Sequence, residues 1–286
     1  MSMPSTENRA EAATLLARLT DLRQTQPNLY PRDYAAELGV SEAELTPFFF
    51  GERVRQLYDL PEVLLSLSRL PRIKLMARVS YAVLEVFSRV DFQRQGGLWV
   101  SDVAALFVAI APSEIAKVFF LSPEKPSANA AILLFDRQGR AALKFYVAPD
   151  EFDTALPESN VQALAKAEMT TATALALART KLVGQFSSTA AVGADNPRRM
   201  IEAAASERRQ LAFDLETRAV SLLVRHAPAK VVDARGWFNI LDADFNLHLK
   251  EDAITKTEAA VSHNAQRLFI ENAAAEAMNL YALEQK

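Results

Sequence analysis

At 286 residues, 50% of them hydrophobic and 23% charged, the chain is too apolar for a disordered segment and long enough for one large domain or two modest ones. Its 32 basic and 35 acidic side chains leave a net charge of −3, which argues against a basic footprint that grips nucleic-acid phosphates. Cysteine is absent, so disulfides, thiolate zinc sites, iron–sulfur clusters and a cysteine nucleophile are excluded.

The first residues, MSMPSTENRAEAATLL, are polar and charged where a secretory signal would carry an apolar core. The longest strongly apolar run, Val103 to Pro112, is about half of the roughly 20 residues needed to cross a bilayer. The expectation is a cytoplasmic protein with no membrane insertion. Leu15, Leu16, Leu19 and Leu22 recur at helical spacing in a charged stretch that ends before Pro27. Next, Pro31 marks a helix start and Gly39 its end, and Ser41 with Glu44 forms a capping box for a second short helix. Two short helices around a glycine turn resemble a helix-turn-helix. The acidic balance favours a hairpin packed on a core, with Phe48, Phe49 and Phe50 as its anchor, over DNA contact.

From about Ile73 the pattern changes to short β-rich runs separated by Pro, Gly, Asp and Asn, which predicts an antiparallel sheet. Residues 161–182 form an alanine-rich stretch of high helix propensity, with Lys166, Arg179 and Lys181 as a solvated face and small residues suited to close packing across a homodimer interface. A loop over 187–197 leads to a helix capped by Asp195 or Asn196, with Pro197 in its first turn. A second β-rich region starts near Gln210. It runs in the same order as the first. Tyr81-Ala82-Val83 matches Arg218-Ala219-Val220, Gly97-Leu98-Trp99 matches Gly236-Trp237-Phe238, and Leu106/Val108/Ile110 matches Phe245/Leu247/Leu249. Leu134-Phe135 followed by Phe145-Tyr146 matches Leu268-Phe269 followed by Leu280-Tyr281. The shared order predicts a duplicated unit. The expected fold is α+β: two tandem repeats of antiparallel sheet packed with helices and related by a pseudo-twofold. The segments are a helical 1–60, a first repeat over 61–152, a connection over 153–209 and a second repeat over 210–286. Two related clefts between the halves would then be the natural ligand sites.

GWFNILDADFNLHLKEDAI (Gly236–Ile254) resembles the signature stretch of the bacterial HemS/ChuX-type haem-utilisation family. LYPRDYAAELGVSEAEL, ARVSYAVLEV, AAILLFDRQGRAALKFYVA and LETRAVSLLV resemble other family segments, and together they cover both repeats. The resemblance implies a cytoplasmic protein of iron acquisition that holds haem, or a related tetrapyrrole, in a cleft at the repeat junction. Such a site needs an apolar slot, a donor for the iron and cations for the propionates. Here the chain departs from the family. The family's iron-binding histidine lies between the repeats, where residues 152–209 contain none. Its haem-facing arginine falls on FVAIAP, at Ala109 or Ala111, and a further family histidine is replaced by Leu84. The usual ligand pair is not carried over, so a carrier or storage role is favoured over oxidative ring opening. A regulatory or interaction module that no longer binds haem is the alternative.

The remaining candidates are few. His226, His248 and His263 are the only histidines, and no two have the i, i+4 spacing of a helical metal site. In FNLHLK, Asn246, His248 and Lys250 share the face opposite Phe245, Leu247 and Leu249. By the internal repeat, His248 falls within a residue or two of the counterpart of the family's haem-facing arginine. It could ligate iron or hold a propionate; the plainer reading is a hydrogen bond within the sheet. Arg218 takes the place of a family arginine and could meet a ligand carboxylate, or serve as a structural or exposed strand arginine. His226 is read as solvated near a strand end, and His263 as part of a connection. The acidic residues Asp242, Asp244, Glu251 and Asp252 read as wet turns. No Gly-rich nucleotide loop or nucleophile elbow is present.

Overall fold

The computed structural model describes residues 6–148, 196–262, 265–272 and 276–283. The alanine-rich stretch and His263 lie outside them. The N-terminal helices form where the sequence places them. Helix α1 is Thr6–Thr25, α2 Pro31–Leu38 and α3 Glu42–Phe50. Gly39 ends α2 at φ 69°, a left-handed cap that glycine adopts without steric cost. The Ser41 hydroxyl accepts from the Glu44 amide at 3.2 Å, and the Glu44 carboxylate accepts from the Ser41 amide at 2.8 Å. Leu19, Tyr34, Leu38 and Leu45 bury a small core between the three helices, with Phe48 and Phe49 packed on it.

The strands divide between two antiparallel sheets. The first half supplies β1 (Val54–Leu57), β2 (Ile73–Arg78), β3 (Ala82–Ser88), β4 (Gln93–Gln95), β5 (Leu98–Val103), β6 (Leu106–Ile110), β7 (Ile115–Leu121), β8 (Ala130–Asp136) and β9 (Ala141–Val147). The second supplies β10 (Leu211–Glu216), β11 (Val220–His226), β12 (Val231–Ala234), β13 (Trp237–Leu241), β14 (Phe245–Leu249), β15 (Lys256–Ser262), β16 (Ala265–Glu271) and β17 (Ala277–Leu283). One sheet has nine strands in the order β1-β7-β8-β9-β2-β3-β14-β13-β12. The other has eight, β15-β16-β17-β10-β11-β6-β5-β4. Each half therefore donates a three-stranded meander to the sheet of the other. The two junctions repeat one geometry: Ala82 pairs with Leu249 as Val220 pairs with Ile110. The Lys250 amide donates to the Tyr81 carbonyl as the Ala111 amide donates to Ala219. This is the expected pseudo-twofold, in a form that the repeat pattern does not announce.

The inner faces of both sheets close on one core. Alternation along β2 and β14 sends Leu75, Ala77, Phe245, Leu247 and Leu249 inward, where they meet Phe213, Leu222, Val108 and Leu280 from the other sheet. The helix before the first strand of each repeat plugs this core: Leu60, Val63, Leu64 and Leu67 of α4 (Leu60–Leu67), and Met200, Ile201 and Ala204 of α5 (Pro197–Glu207). Asn196 caps α5 and Pro197 opens it. Strand β1 and helix α4 are not foreseen in the sequence.

Strand pairing also corrects two of the internal matches. The Val79 amide donates to Ala82 as the Thr217 amide donates to Val220, so Tyr81 corresponds to Ala219 and not to Arg218. Ile132 lies opposite Phe145 and Leu268 opposite Leu280, which aligns Leu268 with Ile132 in place of Leu134. A register shift between Leu134 and Phe135 moves the pattern there.

Candidate functional site

A cavity of about 1180 Å³ opens where the N-terminal helices meet the ends of both sheets. Its walls are α2 and the start of α3, the β2–β3, β8–β9 and β10–β11 turns, and the outer face of β16–β17. The helical hairpin is held there by close fits. Gly139 in the β8–β9 turn has φ 71°, and a Cβ at that position would stand 2.4 Å from the Ser41 hydroxyl. Its carbonyl accepts from the Ala43 amide at 2.9 Å. Ala43 packs on Phe119, Leu133 and Phe135 from the outer face of the nine-stranded sheet. Beside it, buried Glu42 accepts from both Arg78 and, at 3.0 Å, Lys144. Burial pushes the Glu42 carboxyl up, but the two cations outweigh it and hold the group below its ordinary value. For Lys144 burial dominates, and its ammonium is held below the usual lysine range despite Glu42.

Five arginines and five carboxylates line the cavity, and their pairing decides where it is cationic. Arg32 bonds Asp33 at 3.0 Å, Arg140 bonds Asp136 at 2.9 Å, and Arg78 belongs to Glu42. Glu276 accepts from the Ser80 amide and hydroxyl and from Asn272. Two arginines form no ion pair with any described residue. Arg267 donates to the Asn279 amide oxygen at 2.9 Å and lies 5.5 Å from the Phe269 ring centre. Arg218 is exposed in the β10–β11 turn. The second-repeat wall therefore carries Arg218 and Arg267 together with Glu216 and Glu276, with Phe269 as the aromatic surface. No histidine, tyrosine or methionine is among its described lining residues.

Arg218 and His248 are not brought together. Arg218 lines the cavity; His248 lies on β14, on the outer face of the nine-stranded sheet, and does not. The expected facing is correct, because Phe245, Leu247 and Leu249 are buried while Asn246, His248 and Lys250 are partly exposed. His248 Nδ1 meets the Asn239 amide oxygen at 2.7 Å. Burial lowers its pKa, against a raising influence from Glu85.

His226, read as solvated, is in fact engaged. It ends β11, bonds Asp242 at 2.7 Å and stacks on Phe245 with ring centres 4.6 Å apart. Asp242 also accepts from the Ala229 and Lys230 amides; these bonds and His226 overcome burial and lower its pKa. Asp242 is accordingly a structural hub of the β11–β12 connection. Arg267 and Phe269 were the functional candidates missed. Their signal was present in the alternation of Arg267 and Phe269 with the buried Leu268 and Ile270.

Ala109 occupies the register of His248 in the other sheet. It pairs with Ser221 and Val100 as His248 pairs with Val83 and Asn239. Its face is buried: Leu98, Val100, Phe107, Ala109, Ala111, Ala212, Leu223 and Tyr281 form one apolar cluster, with Ser221 opposite Ala109 and with buried Asp214 accepting from Asn279 and Tyr281 beside it. Among the described residues no group of three or more His, Asp or Glu side chains could hold a metal ion. No helix among them is long and apolar enough to cross a membrane.

No protein-family model matches the chain. Among curated proteins, the hemin transport protein HmuS of Yersinia pestis is 31% identical over 139 residues, which is 47% of this chain and only 40% of that protein. The hemin transport protein HemS of Yersinia enterocolitica is 25% identical over 273 residues, covering 81% of this chain and 79% of HemS. In fold, the heme-degrading enzyme ChuS of Escherichia coli superposes with a TM-score of 0.74 at 20% identity, covering 96% of this chain and 94% of ChuS. Holo-PhuS, a heme-binding protein from Pseudomonas aeruginosa, gives 0.73 at 21% identity with the same coverage.

Proposed function

Sequence likeness to HemS and HmuS, with the fold of ChuS and PhuS, supports the chain as a HemS/ChuX-type haem-utilisation family member, and we propose that it binds haem or a related tetrapyrrole as cargo in the cytoplasm. The observation that carries this reading is the pair of arginines without ion-pair partners, Arg218 and Arg267, on the wall of a cavity large enough for a macrocycle. In this reading the propionates meet the two guanidiniums through charge-assisted hydrogen bonds, and the ring lies on Phe269. No imidazole is among the described lining residues. Holding haem by its carboxylates suits a carrier or storage protein in iron acquisition, which has to release its cargo, better than a ring-opening enzyme.

Titrating the purified protein with haemin tests this. A saturable Soret shift is expected, weakened at least about tenfold when Arg218→Glu and Arg267→Glu together replace two attractions by repulsions. A titration without saturation would end the reading. The closed apolar face around Ala109 favours a second reading, an interaction module that has lost haem. That protein would leave the haemin spectrum unchanged at every ratio.

A further inference from the structure

The guanidinium of Arg267 is aimed by a row of buried polar side chains. Strands β10, β17 and β16 lie side by side, and their register sets Asp214 opposite Asn279 and Asn279 opposite Phe269. Arg267, two residues from Phe269, shares its face of β16. Asp214 is fully buried and Asn279 almost so, next to the mainly apolar cluster of Ala212, Leu223 and Tyr281. The Asn279 side-chain nitrogen donates to Asp214 Oδ2 at 3.2 Å, and the Tyr281 hydroxyl donates to the same oxygen at 3.4 Å. A carboxylate can only accept, so Asp214 decides which way the Asn279 amide points: nitrogen toward itself, oxygen toward Arg267. That oxygen accepts from Arg267 Nε at 2.9 Å. Both Nη atoms of Arg267, which lines the cavity, are left without a partner among the described residues.

The nine-stranded sheet shows that the fold itself does not require this row. The turns that align Val79 with Thr217 place Met76 at the position of Asp214. Met76 lies opposite Lys144 and Lys144 opposite Leu133, so these two stand where Asn279 and Phe269 do. Tyr146 takes the place of Tyr281, and its partner Ala131 takes the place of Arg267. The same architecture thus closes over Met76, Lys144 and Ala131 with no relay from carboxylate to amide to guanidinium. Sealing a carboxylate away from water is unfavourable unless the groups it holds offset the loss. Asp214 is buried in the one of these two rows that ends on a cavity-lining arginine. We infer that Asp214 is a positioning residue of the cavity: through Asn279 it fixes the direction of the Arg267 guanidinium, so that the Nη pair meets a ligand carboxylate. This rests on the haem-binding reading above, in which that carboxylate is a propionate.

Haemin titrations arranged as double-mutant cycles test the inference. Arg267→Ala and Arg218→Ala should each weaken binding about tenfold. Asp214→Asn can offer Asn279 either end of an amide, so it no longer dictates the direction of Arg267 and should weaken binding about fivefold. Combined with Arg267→Ala it should add less than about twofold, because no guanidinium is left to aim. Combined with Arg218→Ala it should add the full loss, about fivefold. Asn279→Leu cuts the link while leaving Asp214 in place. It should repeat this pattern, and it carries the test where circular dichroism shows that Asp214→Asn does not fold. A general loosening of the wall would instead weaken all three backgrounds alike. Equal losses in the three backgrounds, no loss in the wild-type background, or an Arg267→Ala protein that binds as the wild type does, overturns the inference; the cavity reading is then decided by its own double charge reversal. No saturable binding by the wild type overturns both.

Discussion

The outer faces of the two sheets are assembled from corresponding strands in corresponding order, yet they carry different chemistry. Around Ala109 the face is buried and mainly apolar, with Ala212, Leu223 and Tyr281 packed beside it and Ser221 and Asp214 as its buried polar groups. Around His248 it is ionic and amide-rich: Lys74 bonds Glu85 at 3.1 Å, Asn246 reaches Glu85, and Asn239 holds the imidazole. Further along, the same face carries the Glu42, Arg78 and Lys144 cluster under α3. The inner positions did not diverge in this way. Val108 and Leu247, next to Ala109 and His248, both point into the shared core. Inward residues are constrained by packing against two sheets at once, whereas outward ones answer only to whatever lies over each face.

The sharpest way to break this contrast is to put a charge on the closed face. Ala109→Arg places an unpaired guanidinium in an apolar cluster and should lower stability by about 4 kcal/mol in urea unfolding. An unchanged midpoint would mean that the face is open. Next in size is Glu42→Ala, which strands Arg78 and Lys144 in a mostly buried site and should cost about 3 kcal/mol. Glu42 also gives this prediction a pH signature. Its folded pKa lies below the ordinary 4.5, so its contribution is complete above that value and is lost as pH falls through the lowered folded value. The gap between wild type and Glu42→Ala should therefore close on acidification below 4.5. The smallest effect compares two turns. Gly96 and Gly97 join β4 to β5 with φ 55° and 85°, while Arg235 and Gly236 join β12 to β13 with φ 54° and 75°. Arg235 pays a left-handed strain that Gly96 avoids, so Arg235→Gly should raise stability by about 0.5–1 kcal/mol in thermal unfolding.

Much of this was legible in the chain. Ser41 and Glu44 wrote the start of α3, Gly39 the end of α2, and period-two alternation gave the facing of His248 before any coordinates. The exchange of meanders was not legible, because which distant strand completes an edge is decided by packing and leaves no local pattern. Strand β1 and helix α4 escaped for a different reason: four half-exposed residues and a short leucine run between prolines give too little periodicity. The cavity escaped as well, since the helical hairpin, three turns and a strand pair that form its wall are far apart in sequence. The engagement of His226 was not legible because its partner Asp242 sits beyond two intervening strands, and a lone histidine carries no mark of such a partner.

The traded meanders also determine how the molecule can be divided. Severed after residue 148, the first half would keep β2 and β3 but lose the strand that covers the β3 edge, while its own β4–β6 ribbon would have no sheet to join. Two such fragments could satisfy one another by swapping ribbons, so the intact polypeptide is the covalently tethered form of a domain-swapped pair.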